Sequence, residues 1–137
     1  MELTFAAACE DARARPDGKL DLSGIFNELT APGFPAVQDR LTVVFVLSWD
    51  ATDSGEVRLR ADLNDDEGQT VLSIEGHTDV TPAPPGRPPA QTRLVLPLEE
   101  VVFPHAGRYT FEVQAGDRRF RSFSLYVSAV DEDAGPV

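Results

Sequence analysis

Few side chains in this chain could ligate a transition metal or attack an electrophile: one cysteine, Cys9, and two histidines, His77 and His105. Zinc needs about three protein ligands, commonly His and Cys in local pairs, and no two of these residues stand at a short ligand spacing. The sequence therefore predicts no metal centre and no cofactor. Cys9 shares alternate positions with Leu3, Phe5 and Ala7, so it reads as a small buried hydrophobe whose thiolate is disfavoured. Leu22-Ser23-Gly24 lacks the glycine two residues ahead of the serine that a nucleophile elbow requires. Ser122 has no such setting either, and no glycine-rich phosphate loop is present. The expectation is a protein that is not an enzyme.

Asp62-Leu63-Asn64-Asp65-Asp66-Glu67-Gly68 places oxygen-bearing side chains in a calcium-loop-like order. Such a loop needs glycine at its sixth position and a bidentate glutamate at its twelfth, where this chain has Glu67 and Ser73. An acidic hairpin turn is the better reading. Three further groups concern partners and ligands. Arg118, Arg119 and Arg121 crowd one hairpin, with Arg108 expected beside them across the ladder. They form either a charged edge that blocks sheet extension or a contact for an acidic partner. Pro82-Ala83-Pro84-Pro85 and Pro85-Gly86-Arg87-Pro88 have spacings that a proline-recognising groove could read, though stiffening of a loop accounts for them. Trp49, His105 and Phe34 are the candidates to line a small-ligand pocket at one end of the fold.

Composition limits the partners. The 137 residues carry a formal charge of −11, which excludes the counterion-releasing contacts that nucleic acid binding requires. No run approaches the roughly 20 apolar residues of a membrane span. Glu2 stands where a secretion signal needs positive charge, and a lone cysteine suits a reducing compartment. The expected location is cytoplasmic.

Apolar residues recur in short alternating runs between turn signals, with no helical period. The first strand is expected over Leu3–Cys9, and Pro16-Asp17-Gly18-Lys19 reverses the chain into a segment from Leu20 to Leu29. The apolar phase slips within that segment, so Ser23-Gly24 marks a bulge or a change of sheet. Phe34, between Pro32 and Pro35, should plug one end. Leu41–Trp49 is apolar on both faces, as in a strand covered on both sides by another element or by a second subunit. Val57, Leu59, Ala61 and Leu63 point inward from the next strand, and Leu72 and Ile74 from a short one over Val71–Glu75. The prolines from Pro82 to Pro89 form an irregular loop. Leu94, Leu96 and Leu98 follow as an inward row, on a strand that Pro97 marks as short or at an edge. Gly107-Arg108-Tyr109-Thr110-Phe111-Glu112-Val113 combines a turn, a tyrosine and strict alternation, the pattern of a tyrosine corner whose hydroxyl bonds back to upstream backbone. A last strand runs over Phe120–Val127.

The expected architecture is all-β: a two-sheet antiparallel, immunoglobulin-like sandwich of about seven to eight strands. Residues 1–130 form its single domain and 131–137 an acidic flexible tail. Cys9-Glu10-Asp11-Ala12, Pro16-Asp17-Gly18-Lys19-Leu20, Leu22-Ser23-Gly24-Ile25-Phe26 and Pro32-Gly33-Phe34-Pro35-Ala36 stand in order, followed by Val102-Phe103-Pro104 and Gly107-Arg108-Tyr109. Together they resemble a family of small single-domain bacterial proteins of unknown function. The resemblance implies a cytoplasmic domain and no residue role to carry over. The functional expectation is a non-enzymatic binding or assembly module, presenting loops or an edge strand to a protein partner or to a second copy. The alternative is a small-ligand-binding protein or enzyme with a site built from loops at one end.

Overall fold

A computed structural model describes residues 1–130; the expected acidic tail lies outside the described residues. Nine strands follow in chain order: β1 Glu2–Ala14, β2 Leu20–Phe26, β3 Glu28–Ala31, β4 Ala36–Ser48, β5 Gly55–Asn64, β6 Thr70–Val80, β7 Gln91–Phe103, β8 Gly107–Ala115 and β9 Arg118–Ala129. They form a β-sandwich of a four-stranded sheet, β2-β1-β4-β7, and a five-stranded sheet, β3-β9-β8-β5-β6. The strand beyond the expected number arises in the segment from Leu20 to Leu29. Gly24, with φ of +67°, bends β2, and the change of sheet comes at Asn27, whose carbonyl accepts from the Tyr126 amide at 2.8 Å. After it, β3 pairs parallel with β9 over Tyr126–Ala129; the other pairings among the described residues are antiparallel.

The centre of the sandwich follows from alternation. Leu41, Val43 and Phe45 of β4 meet Leu63, Phe111 and Val113 of the facing sheet in one buried cluster. Phe45 and Phe111 pack edge to face, with ring centroids 6.1 Å apart. Phe34 is half-buried against this cluster, as expected of an end plug. A second cluster, with Leu47, Trp49, Leu59, Val80 and Ala115, closes the end where β4 finishes. Leu94, Leu96 and Leu98 face inward, and Pro97 lies on an edge strand that is 13 residues long rather than short. At Glu100, φ of 52° inverts the alternation of β7, so Val101 and Phe103 are buried in turn.

The tyrosine corner is present. The Tyr109 hydroxyl donates to the His105 carbonyl at 2.6 Å and accepts from the His105 amide at 3.3 Å. Its ring, fully buried, meets Phe103 edge to face at 4.9 Å.

The face expected for β1 is corrected. The register shifts between Leu3 and Phe5, and one extra residue sends every later side chain to the opposite face. Ala6 and Ala8 therefore reach the core, whereas Phe5 is 41% exposed. Phe5, Ala7 and Cys9 pair with Val46, Val44 and Thr42 on the outward side of the sheet. Cys9 and Val44 are nonetheless fully buried there. The reason lies in the β1–β2 hairpin. Arg93 stands opposite Val46, level with Phe5, yet its Nη1 donates to the carbonyl of Gly18 in the hairpin turn. A straight hairpin would carry Gly18 roughly 30 Å beyond Phe5 at about 3.3 Å per residue. The hairpin must therefore fold back across β4, and its half-buried Ala12, Leu20 and Leu22 share one of its faces. The two-sided apolar strand is covered by its own chain.

Tyr109→Phe should cost about 1–2 kcal/mol, since it unpairs two backbone groups, and Phe111→Ala about 3–5 kcal/mol through the cavity it opens. Denaturation midpoints that both stay unchanged would contradict this account of the corner. Arg93→Ala should speed labelling of Cys9 by a thiol reagent several-fold, because the thiol lies beneath the hairpin; equal rates would place its cover elsewhere.

Candidate functional site

The outward face of the five-stranded sheet is polar throughout its centre. Arg119, Gln114, Arg60 and Glu75 lie in one row across it, and Arg121, Glu112, Asp62 and Ser73 in the next. Arg60 donates through Nε to Asp62 at 2.9 Å and lies 3.6 Å from Glu75, so the cation most central to the face is already matched. Exposed pairs of this kind contribute little to stability.

The basic hairpin is more dispersed than its sequence suggests. Arg118 donates to the Met1 carbonyl at 3.1 Å, Arg121 stands opposite Glu112, and Arg119 opposite Gln114. Arg108 is opposite Tyr126 rather than beside the other three, because its place far from the β8–β9 turn pairs it with the other end of β9. Between Arg118 and Leu125 no strand among the described residues pairs with the far side of β9, since β3 reaches only Tyr126–Ala129. The arginines therefore mark an open edge.

Trp49, His105 and Phe34 do not make one site. Ser48 pairs with Gln91 and Ala36 with Phe103, so Trp49 and His105 sit at opposite ends of β4, about 40 Å of strand apart. Trp49 is buried, and its Nε1 donates to Thr92 at 2.8 Å. Sequence reasoning could not fix this, because the separation depends on β4 and β7 running antiparallel over their full lengths. Phe34 and His105 belong to the same end, but His105 is occupied with Asp65.

That pair ties two turns together. His105 Nε2 lies 3.2 Å from Asp65 Oδ2, and Nδ1 lies 2.9 Å from the Ala106 carbonyl. The imidazole stacks on Tyr109, with ring centroids 5.7 Å apart. Asp65 Oδ1 accepts from the amides of Glu67 and Gln69 at 3.0 and 2.8 Å, so the residue that would anchor a calcium loop instead closes the β5–β6 hairpin. The Ala106 carbonyl, followed by Asp65, raises the His105 pKa above its ordinary value. Desolvation pushes the Asp65 carboxyl up, but the Gln69 amide, His105 and the Glu67 amide outweigh it and hold the pKa below the usual range. His105 and Asp65 thus form a clip between the hairpin and the tyrosine corner.

The remaining feature is the free edge of β6. This strand runs on to Val80, past the expected end at Glu75; Gly76, His77 and Asp79 obscured it, being poor or polar strand residues. Its edge groups can be assigned from one bond. The Gly116 amide donates to the Arg58 carbonyl at 2.9 Å, so the backbone groups of Arg58 point to β8. Backbone groups alternate along a strand, so those of Leu59 point to β6 and meet Gly76, its partner in the register. The amides and carbonyls of Ser73, Glu75, His77 and Asp79 therefore face away from β5, where no strand among the described residues pairs with them. Gly76 occupies an inward position, and nothing lies within 4 Å of where its Cβ would be. Its missing side chain leaves a slot of about 110 Å³ between β6 and β7, lined by Leu59, Ala61, Ile74, Leu94, Leu96 and Val113.

Residues 4–128 match a family of unknown function (DUF6941). The chain belongs to that family. No curated protein matches the chain.

The family supplies no residue role, so site assignment rests on geometry. The edge could have been found from Leu72, Ile74, Gly76, Thr78 and Val80, an inward row interrupted at its centre by glycine.

The clip yields a pH dependence. The raised His105 pKa contributes stability that is fully present below about pH 6.5 and lost as pH rises through the folded value. The lowered Asp65 pKa contributes stability present above about pH 3.9 and lost as pH falls through its folded value. The clip should be strongest between about pH 4 and 6.5, and His105→Ala should lower the urea midpoint most in that window. An equal loss at about pH 5.5 and pH 9 would remove the ion pair from the account.

Proposed function

We propose that this protein is a non-enzymatic binding or assembly module that recognises a protein partner by adding a strand to the free edge of β6. The observation that carries this reading is the contrast between edges. Sheet edges invite pairing, and folds usually block them with proline, cationic residues, bulges or short strands. Here β7 carries Pro97, β2 bends at Gly24, β3 has four residues, and the open part of β9 carries Arg118, Arg119 and Arg121. From Leu72 to Val80, β6 has no proline, lysine or arginine and no positive-φ residue. Its outward amides and carbonyls provide main-chain bonds, and the slot at Gly76 admits an apolar group, the two ingredients of strand addition.

The same reading places the protein in the cytoplasm and relates its sandwich to the immunoglobulin-like class. A lone buried thiol and the Tyr109 corner support these two assignments respectively. No helix among the described residues is long and apolar enough to cross a membrane. An end pocket for a small ligand gains no support from the separation of Trp49 and His105.

Affinity capture from native host extract separates the candidate surfaces. His77 points its amide outward, so His77→Pro blocks strand addition without removing a β5–β6 hydrogen bond. A partner bound through this edge should be retained by the wild type and by Arg119→Glu/Arg121→Glu, and lost from His77→Pro. Retention by His77→Pro with loss from the arginine variant would transfer the site to the basic hairpin.

A further inference from the structure

We infer that the strand added to β6 is β6 of a second copy of this chain, antiparallel about a two-fold axis at Gly76. The inference rests on the edge reading above and specifies both its partner and its register. β6 carries no proline, lysine, arginine or positive φ along its length, and the stretch in unbroken register with β5, before Val71 interrupts it, runs from Leu72 to Val80, with Gly76 its midpoint. An antiparallel pairing centred there overlaps the whole stretch. It places Leu72 opposite Val80 and Ile74 opposite Thr78 on the inward side, and Glu75 opposite His77 and Ser73 opposite Asp79 on the outward side.

Charge selects among neighbouring registers. Centring on Glu75 would oppose two carboxylates, and centring on His77 would oppose Glu75 to Asp79. Like charges directly opposite one another destabilise a strand pair. The Gly76 register opposes none, and sets the Glu75 of each copy against the His77 of the other. The wider face also matters: Arg60 lies 3.6 Å from Glu75, and Arg58 stands opposite His77 within each copy. Arg60 thus offsets Glu75 at the seam, while Asp79, with Glu56 opposite it in β5, falls near the end of the overlap against the neutral Ser73.

Backbone geometry agrees with the same centre. Because the amide and carbonyl of Gly76 turn toward Leu59, two opposed Gly76 residues would form a non-hydrogen-bonded pair, with Cα atoms about 4.5 Å apart. The hydrogen bonds fall to the flanking Glu75 and His77, whose groups face outward. The two apolar slots then adjoin across the axis, where glycine leaves them open to one another.

Cysteine cross-linking tests partner and register together. In a Cys9→Ala background, Gly76→Cys places thiols at a separation a disulfide can span, on the side where a Cβ has free space. Mild oxidation should convert most of the protein to covalent dimer, whereas Thr78→Cys, opposite Ile74, should give at least tenfold less. Sedimentation equilibrium should show a dimer for the wild type and association weakened at least tenfold in favour of monomer for His77→Glu, which opposes two carboxylates. Adding Glu75→Gln to His77→Glu should restore association, which misfolding would not permit. A wild type that stays monomeric at all concentrations overturns the self-pairing; if His77→Pro still loses a captured host protein, the edge reading survives it. A dimer that persists in His77→Glu and gives no Gly76→Cys cross-link overturns the register and assigns the dimer to another face.

Discussion

Between Leu41 and Phe45, β4 is buried on both faces, and the rest of the architecture accommodates that constraint. Leu41, Val43, Phe45 and Leu47 are buried toward the facing sheet, while Thr42 and Val44 are buried on the other side. The first set accounts for the second sheet. The second set requires a cover on the outward face, and the fold supplies it by bending the β1–β2 hairpin until Gly18 reaches Arg93. Burial of one medium-sized aliphatic side chain is worth about 1.5–3 kcal/mol, far more than the exposed contact at the hairpin tip. The apolar strip holds the hairpin down, and the arginine fixes where its tip rests. With that face closed, the surface left for pairing is at the edges of the sheets.

Much of this was legible in the residues, because it depends on local chain geometry. The Tyr109 corner spans four residues from donor to acceptor, so a turn, a tyrosine and the following alternation sufficed to predict it. Leu94, Leu96 and Leu98 declare a face by period alone, and Pro97 declares an edge. The two-sided character of Leu41–Trp49 correctly required a covering layer. Its sequence could not distinguish a second subunit from a folded-back hairpin, since both bury the same side chains.

What escaped sequence reasoning was wherever one residue inverts a phase or a distant strand fixes a location. Thr4 is the extra residue that turns Phe5, Ala7 and Cys9 outward, and nothing in Leu-Thr-Phe-Ala distinguishes it from an ordinary alternation. Asn27 carries the chain between sheets three residues after the glycine that seemed to mark the change. Asp65 looked like one carboxylate in an acidic turn, yet its partner His105 is 40 positions away. The candidate edge was hidden differently: Gly76 and His77 read as the end of a strand, and only the register with β5 places them in its middle.

Self-pairing must contend with the charge of the whole chain. Two copies each carrying −11 repel one another, but the Debye length is about 8 Å at physiological ionic strength, so distant carboxylates are screened while those at the seam are not. The association is therefore decided locally, by main-chain bonds, by Leu72 and Ile74 against Val80 and Thr78, and by whether carboxylates meet. This is why register carries so much weight. A shift by one residue of the two-fold centre would leave long-range repulsion unchanged and the number of overlapped residues nearly so, yet it would set carboxylate against carboxylate at close range. Glycine at the centre contributes no side-chain contact of its own. It leaves the axis clear, so that the charged residues on either side set the alignment.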